Sequence, residues 1–246
     1  MTTTFPTAAK AAEILERVRQ RRPRVHCLMN TVVQKFTADG ITVVGGIPSM
    51  TTSLEEIESF VTKADALTVN LGTLDAERRK VIRLAIEIAN ASGKPWIVDP
   101  VHCDYSPSRL AFARELIALS PMIVRGNRAE MSLIGDVPGV VRIETGPVDH
   151  LRDAARSVRI VNGHPWMAKV TGTGCLSGGV IAAFLAVEKD ALTAAASALA
   201  VTGVSAELAA KHARGPGSFE PAFLDALSEI SSEDITNHAR IEHEQG

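Results

Sequence analysis

At 246 residues, 46% of them hydrophobic, the chain is long enough to bury a full core, and its length suits one large α/β domain spanning 1–246 better than two small ones. Its 26 basic residues stand against 28 acidic ones, and the net charge of -2 supplies no broad cationic surface for a phosphate backbone, which argues against nucleic acid as a partner. Cys27, Cys103 and Cys175 are an odd set with no CxxC spacing, so neither a disulfide framework nor a zinc knuckle is expected, and a reducing, cytoplasmic setting is.

The N-terminal MTTTFPTAAKAAEILERVRQRR has no continuous apolar stretch and reads as an amphipathic helix. Nowhere do eighteen or so uninterrupted apolar residues predict a membrane span. Five short β-type runs follow: ITVVGG from Ile41, DALTVNLG from Asp65, KPWIVDP from Lys94, PMIVRGN from Pro121 and VVRIETG from Val140. Each ends in Gly, Asn, Asp or Pro, as buried parallel strands do. Between them LEEIESFVTKA, DAERRKVIRLAIEIANASG and SRLAFARELIALS carry apolar residues at helical spacing. This alternation predicts βαβ units and a mostly parallel sheet. Alanine-rich helices are expected over about 176–187, 191–210 and 221–231, and the polar stretch over about 232–246 is expected to fray.

In an open parallel sheet the ligand crevice lies outside the carboxyl ends of the strands. The predicted strand ends carry Asn70 and Gly72, then Asp99, then Arg125, Gly126 and Asn127, then Thr145 and Gly146. A carboxylate, a guanidinium and several bare turns on one rim suit a metal-bound phosphate chain. Each position also has a plain structural reading: Asp99 as a turn cap, Arg125 as a surface ion pair, the glycines as turn residues. The stretch VTGTGCLSGGVIAAFLAVEKD from Val170 tips that balance. Gly172, Thr173 and Gly174 present consecutive backbone N–H groups at the mouth of a helix, an anion hole in the making. Cys175 falls in the first turn, where the helix dipole is expected to lower a thiol's pKa; its alternative reading is a small buried hydrophobe.

Six blocks, in order, resemble the hydroxyethylthiazole kinase family: VHCLMNTVVQKFTADGITVVGGIPSM from Val25, DALTVNLGTL from Asp65, GKPWIVDPV from Gly93, IVRGNRAE from Ile123, NGHPWMAKVTGTGC from Asn162 and GPGSFEPAFLDAL from Gly215. The resemblance implies a ribokinase-like three-layer αβα fold and phosphorylation of the hydroxyl of 4-methyl-5-(2-hydroxyethyl)thiazole in thiamine biosynthesis and salvage. It further implies ATP as co-substrate, Mg2+ as cofactor, and a homotrimer with active sites between subunits. Position by position, it puts Met50 and Asn30 against the thiazole, Gly172 beside the substrate hydroxyl with Gly174 completing the anion hole, and Cys175 where related sugar kinases carry an aspartate base. Arg125 and Thr145, with Asn127 of the same RGN block, match ATP-contacting positions, and Asp99 and Glu130 match residues that organise magnesium.

The chain departs from the family pattern at three places. DPV continues as HCDYSPSR, with His102, Cys103 and Asp104 on the expected magnesium side; His102 reads either as a ligand or as a loop filler. Glu144 precedes Thr145 where a small apolar residue is usual. GNRAEMSLIG runs through DVPG almost directly into VVRIETG, without the further loop and amphipathic helix the family carries there, and this shortening is expected to remove part of the adenine and ribose wall. Two other readings stand beside the kinase: a related small-alcohol kinase, and a catalytically weak thiazole-binding trimer.

Overall fold

The computed structural model describes residues 5–244. Six strands form the parallel part of one sheet: β1 (Arg24–Leu28), β2 (Ile47–Ser49), β3 (Ala66–Asn70), β4 (Trp96–Asp99), β5 (Ile123–Asn127) and β6 (Val141–Thr145). Three more, β7 (Asp149–Arg152), β8 (Ser157–Ile160) and β9 (Ile241–Glu244), extend it antiparallel, giving the order β2-β1-β3-β4-β5-β6-β7-β8-β9. Every residue of ALTVN and WIVD is buried, as expected of strands covered on both faces.

Helices α1 (Ala8–Arg21), α2 (Gln34–Val43), α7 (Thr173–Leu185), α8 (Ala191–Ala210), α9 (Pro216–Glu229) and α10 (Ser232–His238) contribute to one core with the strand residues Val25, Cys27, Ala66, Ile97, Ile123, Ile143, Leu151 and Val158. The opposite core joins α3 (Ile57–Lys63), α4 (Ala76–Ala91), α5 (Pro107–Ile117) and α6 (Arg128–Ile134) to Leu28, Leu67, Val69, Trp96, Val98 and Val124. These are the three layers of the predicted αβα fold. Helix α8 is long and apolar enough to cross a membrane, but 89% of that window is buried, which is the pattern of a core helix.

Three expectations are corrected. ITVVGG is not a strand: Ile41–Val43 close α2, and the strand is the short IPS that follows. Branched side chains favour strands, but packing overrides that preference here. Helix α2 lies so close to α7 that a Cβ at Gly40 would stand 2.5 Å from Leu176, and one at Gly179 would stand 2.9 Å from Ile41. The C-terminal stretch does not fray as far as Glu244. Ser231 and Asp234 close a capping box on α10, and β9 pairs with β8 from Ile160↔Ile241 to Ser157↔Glu244. The last alanine-rich helix begins at Pro216 rather than at Pro221, with a proline in its first turn.

The shortened segment closes the β5–β6 crossover with one seven-residue helix, α6, and a turn. Its apolar residues Met131, Ile134, Val137 and Val140 all pack into the α3–α6 core. Beyond it no helix contributes to that face of β6–β9 among the described residues. There the sheet presents Arg142, Glu144, His150, Arg152 and Arg159, with Glu144 paired to Arg142 at 3.1 Å. Glu144 is therefore an outward residue of a strand covered on one side, alternating with the buried Val141 and Ile143.

Candidate active site

Parallel strands deliver their C-terminal residues to one rim, and the register aligns them: Asn70 opposite Asp99, and Asn127 opposite Thr145. At the rim's centre a hydrogen-bonded chain forms. Arg125 Nη1 donates to Asp99 Oδ2 at 2.6 Å, and Asn70 Nδ2 lies 3.2 Å from the same oxygen and 3.3 Å from Cys175 Sγ. Asp99 Oδ1 accepts from the backbone N–H of Val101 at 3.2 Å. Both charged partners are buried, so the Arg125–Asp99 pair is an internal one rather than the surface pair of the plain reading. Burial pushes the Asp99 pKa up, and the Arg125 charge opposes that shift.

Glu130, 5% exposed, is fixed from two sides. Its Oε1 accepts from the backbone N–H of His102 at 2.7 Å, and its Oε2 from that of Asn127 at 2.7 Å. Asn127 Oδ1 accepts in turn from Glu130 N at 3.0 Å, completing a capping box. The Asn127 side chain is thus committed to capping α6. Asp99 and Glu130 form an oxygen-only donor set, the chemistry a hard divalent cation takes. A carboxylate offers about four lone-pair sites. The three hydrogen bonds to Asp99 nearly fill its complement, whereas the two to Glu130 leave room, so the pair fits Mg2+ with Glu130 as the more open ligand.

Above this chain lies the start of α7. Gly172, at φ +100°, is its N-cap, and a Cβ there would stand 2.7 Å from Val33 Cγ1. No side chain caps the helix, which leaves its first-turn N–H groups and positive end to serve an anion. The helix start expected at this stretch is in place. The expected low thiol pKa does not follow: burial first, and then the Asp99 charge, push Cys175 up to about 11. With its pKa raised by burial, the resting group is the neutral thiol.

A cavity of about 530 Å³ opens beside this rim, lined among others by Arg125, Thr145, Gly174, Asn162, His164 and Gly203. Arg125 Nε is buried and has no hydrogen-bond partner among the described residues. Thr145 Oγ1 bonds back to Gly126 O at 3.1 Å, which fixes the cavity floor. The shortened segment contributes no residue to this lining, and α6 packs into the opposite core.

Asn30 and Met50 follow β1 and β2 on the same rim, away from the cavity. Asn30 Oδ1 accepts from Val32 N at 3.1 Å and its amide packs against Gly72, where a Cβ would stand 2.5 Å from Nδ2. Met50 is half-buried against the first core. The structure therefore joins Cys175, Arg125 and Asp99 through Asn70, sets Gly172 and Gly174 over them, and holds Glu130 with Asn127 as a neighbouring unit.

Two supporting residues have roles that the sequence does not show. Asn70 was visible as a strand-end amide, but its bridging role depends on α7 arriving from a hundred residues away. Arg78 reads as one more charge on an amphipathic helix, yet it is buried and donates to Met29 O at 2.5 Å and Asn70 O at 3.4 Å, bracing the ends of β1 and β3. No local signal marks it.

The hydroxyethylthiazole kinase family model matches residues 15–142 and 134–233, two pieces that meet at the shortened crossover. A probable hydroxyethylthiazole kinase of Agrobacterium fabrum is 92% identical over 242 residues, 98% of each chain, and the hydroxyethylthiazole kinase of Granulibacter bethesdensis is 39% identical over 92% of each. The structure of a hydroxyethylthiazole kinase from Pyrococcus horikoshii superposes with a TM-score of 0.92 at 35% identity, over 96% of this chain and 99% of that one. With the strand-end rim, the uncapped α7 and matches that span nearly its whole length, the chain belongs to the hydroxyethylthiazole kinase family.

Proposed function

We propose that the chain, acting as one domain, transfers the γ-phosphoryl group of ATP to the hydroxyl of 4-methyl-5-(2-hydroxyethyl)thiazole, in a Mg2+-dependent step of thiamine biosynthesis and salvage. The observation that carries this reading is the continuous chain Cys175–Asn70–Asp99–Arg125, lying under the start of α7 and beside the 530 Å³ cavity. The cavity takes the nucleotide, with Arg125 and Thr145 at its phosphate end. The thiazole lies on the Asn30 and Met50 side, and its hydroxyl approaches Gly172 and Cys175. In this reading the protein is a cytoplasmic homotrimer, and a neighbouring subunit completes the thiazole side.

Phosphoryl transfer asks a protein mainly for alignment and charge stabilisation. Arg125 Nε, which has no hydrogen-bond partner among the described residues, and the first-turn N–H groups of α7 are set to hold phosphoryl oxygens as charge moves toward the leaving group. Mg2+, held by Glu130 and by Asp99 directly or through water, would neutralise phosphate charge. Cys175 faces the hydroxyl in this reading, and with a pKa of about 11 it is nearly all thiol at neutral pH, so only its minor thiolate fraction can accept the hydroxyl proton. The shortened crossover, closed by the single helix α6, keeps a catalytically weak thiazole-binding trimer as the alternative reading.

Mass spectrometry of the product after incubation with the thiazole alcohol, ATP and Mg2+ tests the reading. A mass gain of one phosphoryl group on the alcohol is the expected result. Unchanged alcohol, with the chain folded and binding ATP, would exclude it. Hydroxymethylpyrimidine as the competing alcohol separates this enzyme from related small-alcohol kinases.

A further inference from the structure

Glu130 is a carboxylate 5% exposed, yet among the described residues no side-chain nitrogen of a Lys, Arg or His forms an ion pair with it. Buried charges are otherwise paired or coordinate metals. Its two hydrogen bonds, from His102 N and Asn127 N, orient the group and leave lone pairs on both oxygens. Asp99, by contrast, has its own cation in Arg125 at 2.6 Å. The unbalanced charge is therefore that of Glu130, and it lies against the loop that follows β4.

That loop brings two further ligands. His102 and Asp104 are exposed, and one ligand atom from each of His102, Asp104 and Glu130 lies within 4.8 Å of the other two. Neighbouring ligands about 2.0–2.2 Å from a shared ion stand about 3 Å apart, a gap that rotation of the exposed His102 and Asp104 side chains closes. His102 adopts φ +56°, and its N–H bond to Glu130 ties the loop to the carboxylate. The third side chain of the loop, Cys103, is buried and turned inward, with Sγ 4.0 Å from Glu130 O, and takes no part.

We propose that His102, Asp104 and Glu130 form a divalent-cation site of mixed nitrogen and oxygen character, which binds a first-row transition ion such as Mn2+ more tightly than Mg2+ and does so without nucleotide. An imidazole ligand favours transition metals over Mg2+, which prefers all-oxygen coordination and keeps its waters. Three protein ligands on one side of the ion leave its other positions to water or phosphate oxygens. The site thus extends the Asp99–Glu130 cation pair of the kinase reading, while standing on its own geometry.

The test is Mn2+ binding to the full chain with neither ATP nor thiazole present, followed by electron paramagnetic resonance. One bound Mn2+ per chain is expected, with a nitrogen modulation in the pulsed spectrum and only weak displacement by equimolar Mg2+. His102→Ala should abolish the nitrogen signal and weaken binding about tenfold or more, Asp104→Asn should weaken it similarly, and Glu130→Gln should remove it. Thermal melting of each variant checks folding; His102 and Asp104 are exposed, so both variants should melt as the parent does. Equal Mn2+ affinity in the parent, His102→Ala and Asp104→Asn, a spectrum without nitrogen coupling, or Mg2+ binding as tight as Mn2+ would each overturn the site. Because no turnover is read, loss of the kinase reading would leave this result standing, and the reverse holds too.

Discussion

The parallel and antiparallel halves of the sheet solve the same problem differently. From β1 to β5 helices cover both faces, strands such as ALTVN and WIVD bury every residue, and the buried charges of the strands themselves, Asp99 and Arg125, are paired with each other. From β6 to β9 the first core covers one face, and the other carries Arg142, Glu144, Arg152, Arg159 and Glu244 in solvent-side ion pairs. The difference traces to the crossover after β5, whose single short helix cannot reach past β6. A sheet face without a helix is stable when its outward residues are polar, and these strands alternate accordingly. The candidate site draws its buried charges from the covered half, where a low local dielectric strengthens electrostatic contacts.

The contrast fails or sharpens first on the charges. Asp99→Ala leaves the Arg125 guanidinium buried and unpaired, so it should cost about 3–5 kcal/mol in urea unfolding and remove turnover. Asp136→Ala, which loses the contacts with Arg142 and Arg152 on the open face, should cost under about 1 kcal/mol. Equal losses would break the comparison.

Next in size is a pH effect at His26, fully buried on β1 with Nδ1 2.9 Å from Ser49 Oγ. Burial lowers its pKa from 6.5 to about 4. The unfolded chain therefore takes up the proton first as pH falls, and stability present above pH 6.5 is lost progressively toward pH 4, up to about 3 kcal/mol. His26→Gln should flatten that part of the stability profile, whereas His150→Gln on the open face should leave it in place. A profile unchanged by His26→Gln would show that another group is responsible.

Gly172→Val comes third. Its φ of +100° and the 2.7 Å approach to Val33 predict strain of about 1–3 kcal/mol at the start of α7, seen as a raised thiazole KM together with a lower kcat. Wild-type kinetics in this variant would remove the loop from the active site. The smallest expected effect is at the thiol. Because Cys175 rests protonated, Cys175→Ala should lower kcat only about tenfold at pH 7 with little change in KM. The ratio of parent to variant rates should grow as pH climbs toward 11, since the thiolate share grows with it. A pH-independent ratio would assign Cys175 to packing.

Much of this molecule was legible in local signals. The runs DALTVN, PWIVD and MIVRGN announce buried strands because few other elements need so continuous an apolar stretch between turn residues, and the polar groups at their ends mark the rim before any fold is known. GTG ahead of a long apolar run announces a helix start, and the structure begins α7 there with Gly172 as its N-cap. What local signals could not decide were the outcomes of long-range packing. ITVV carries the side chains of a strand, yet α7, more than a hundred residues on, offers Gly179 and Leu176 as a close-fitting surface and makes it helical. The polar C-terminal stretch becomes α10 and β9 because β8 leaves an edge for it to pair with. The Cys175 pKa follows the same logic: its place at a helix start is written in the sequence, but its burial beside Asp99, which raises the pKa, depends on strands and a helix that meet only in the folded chain.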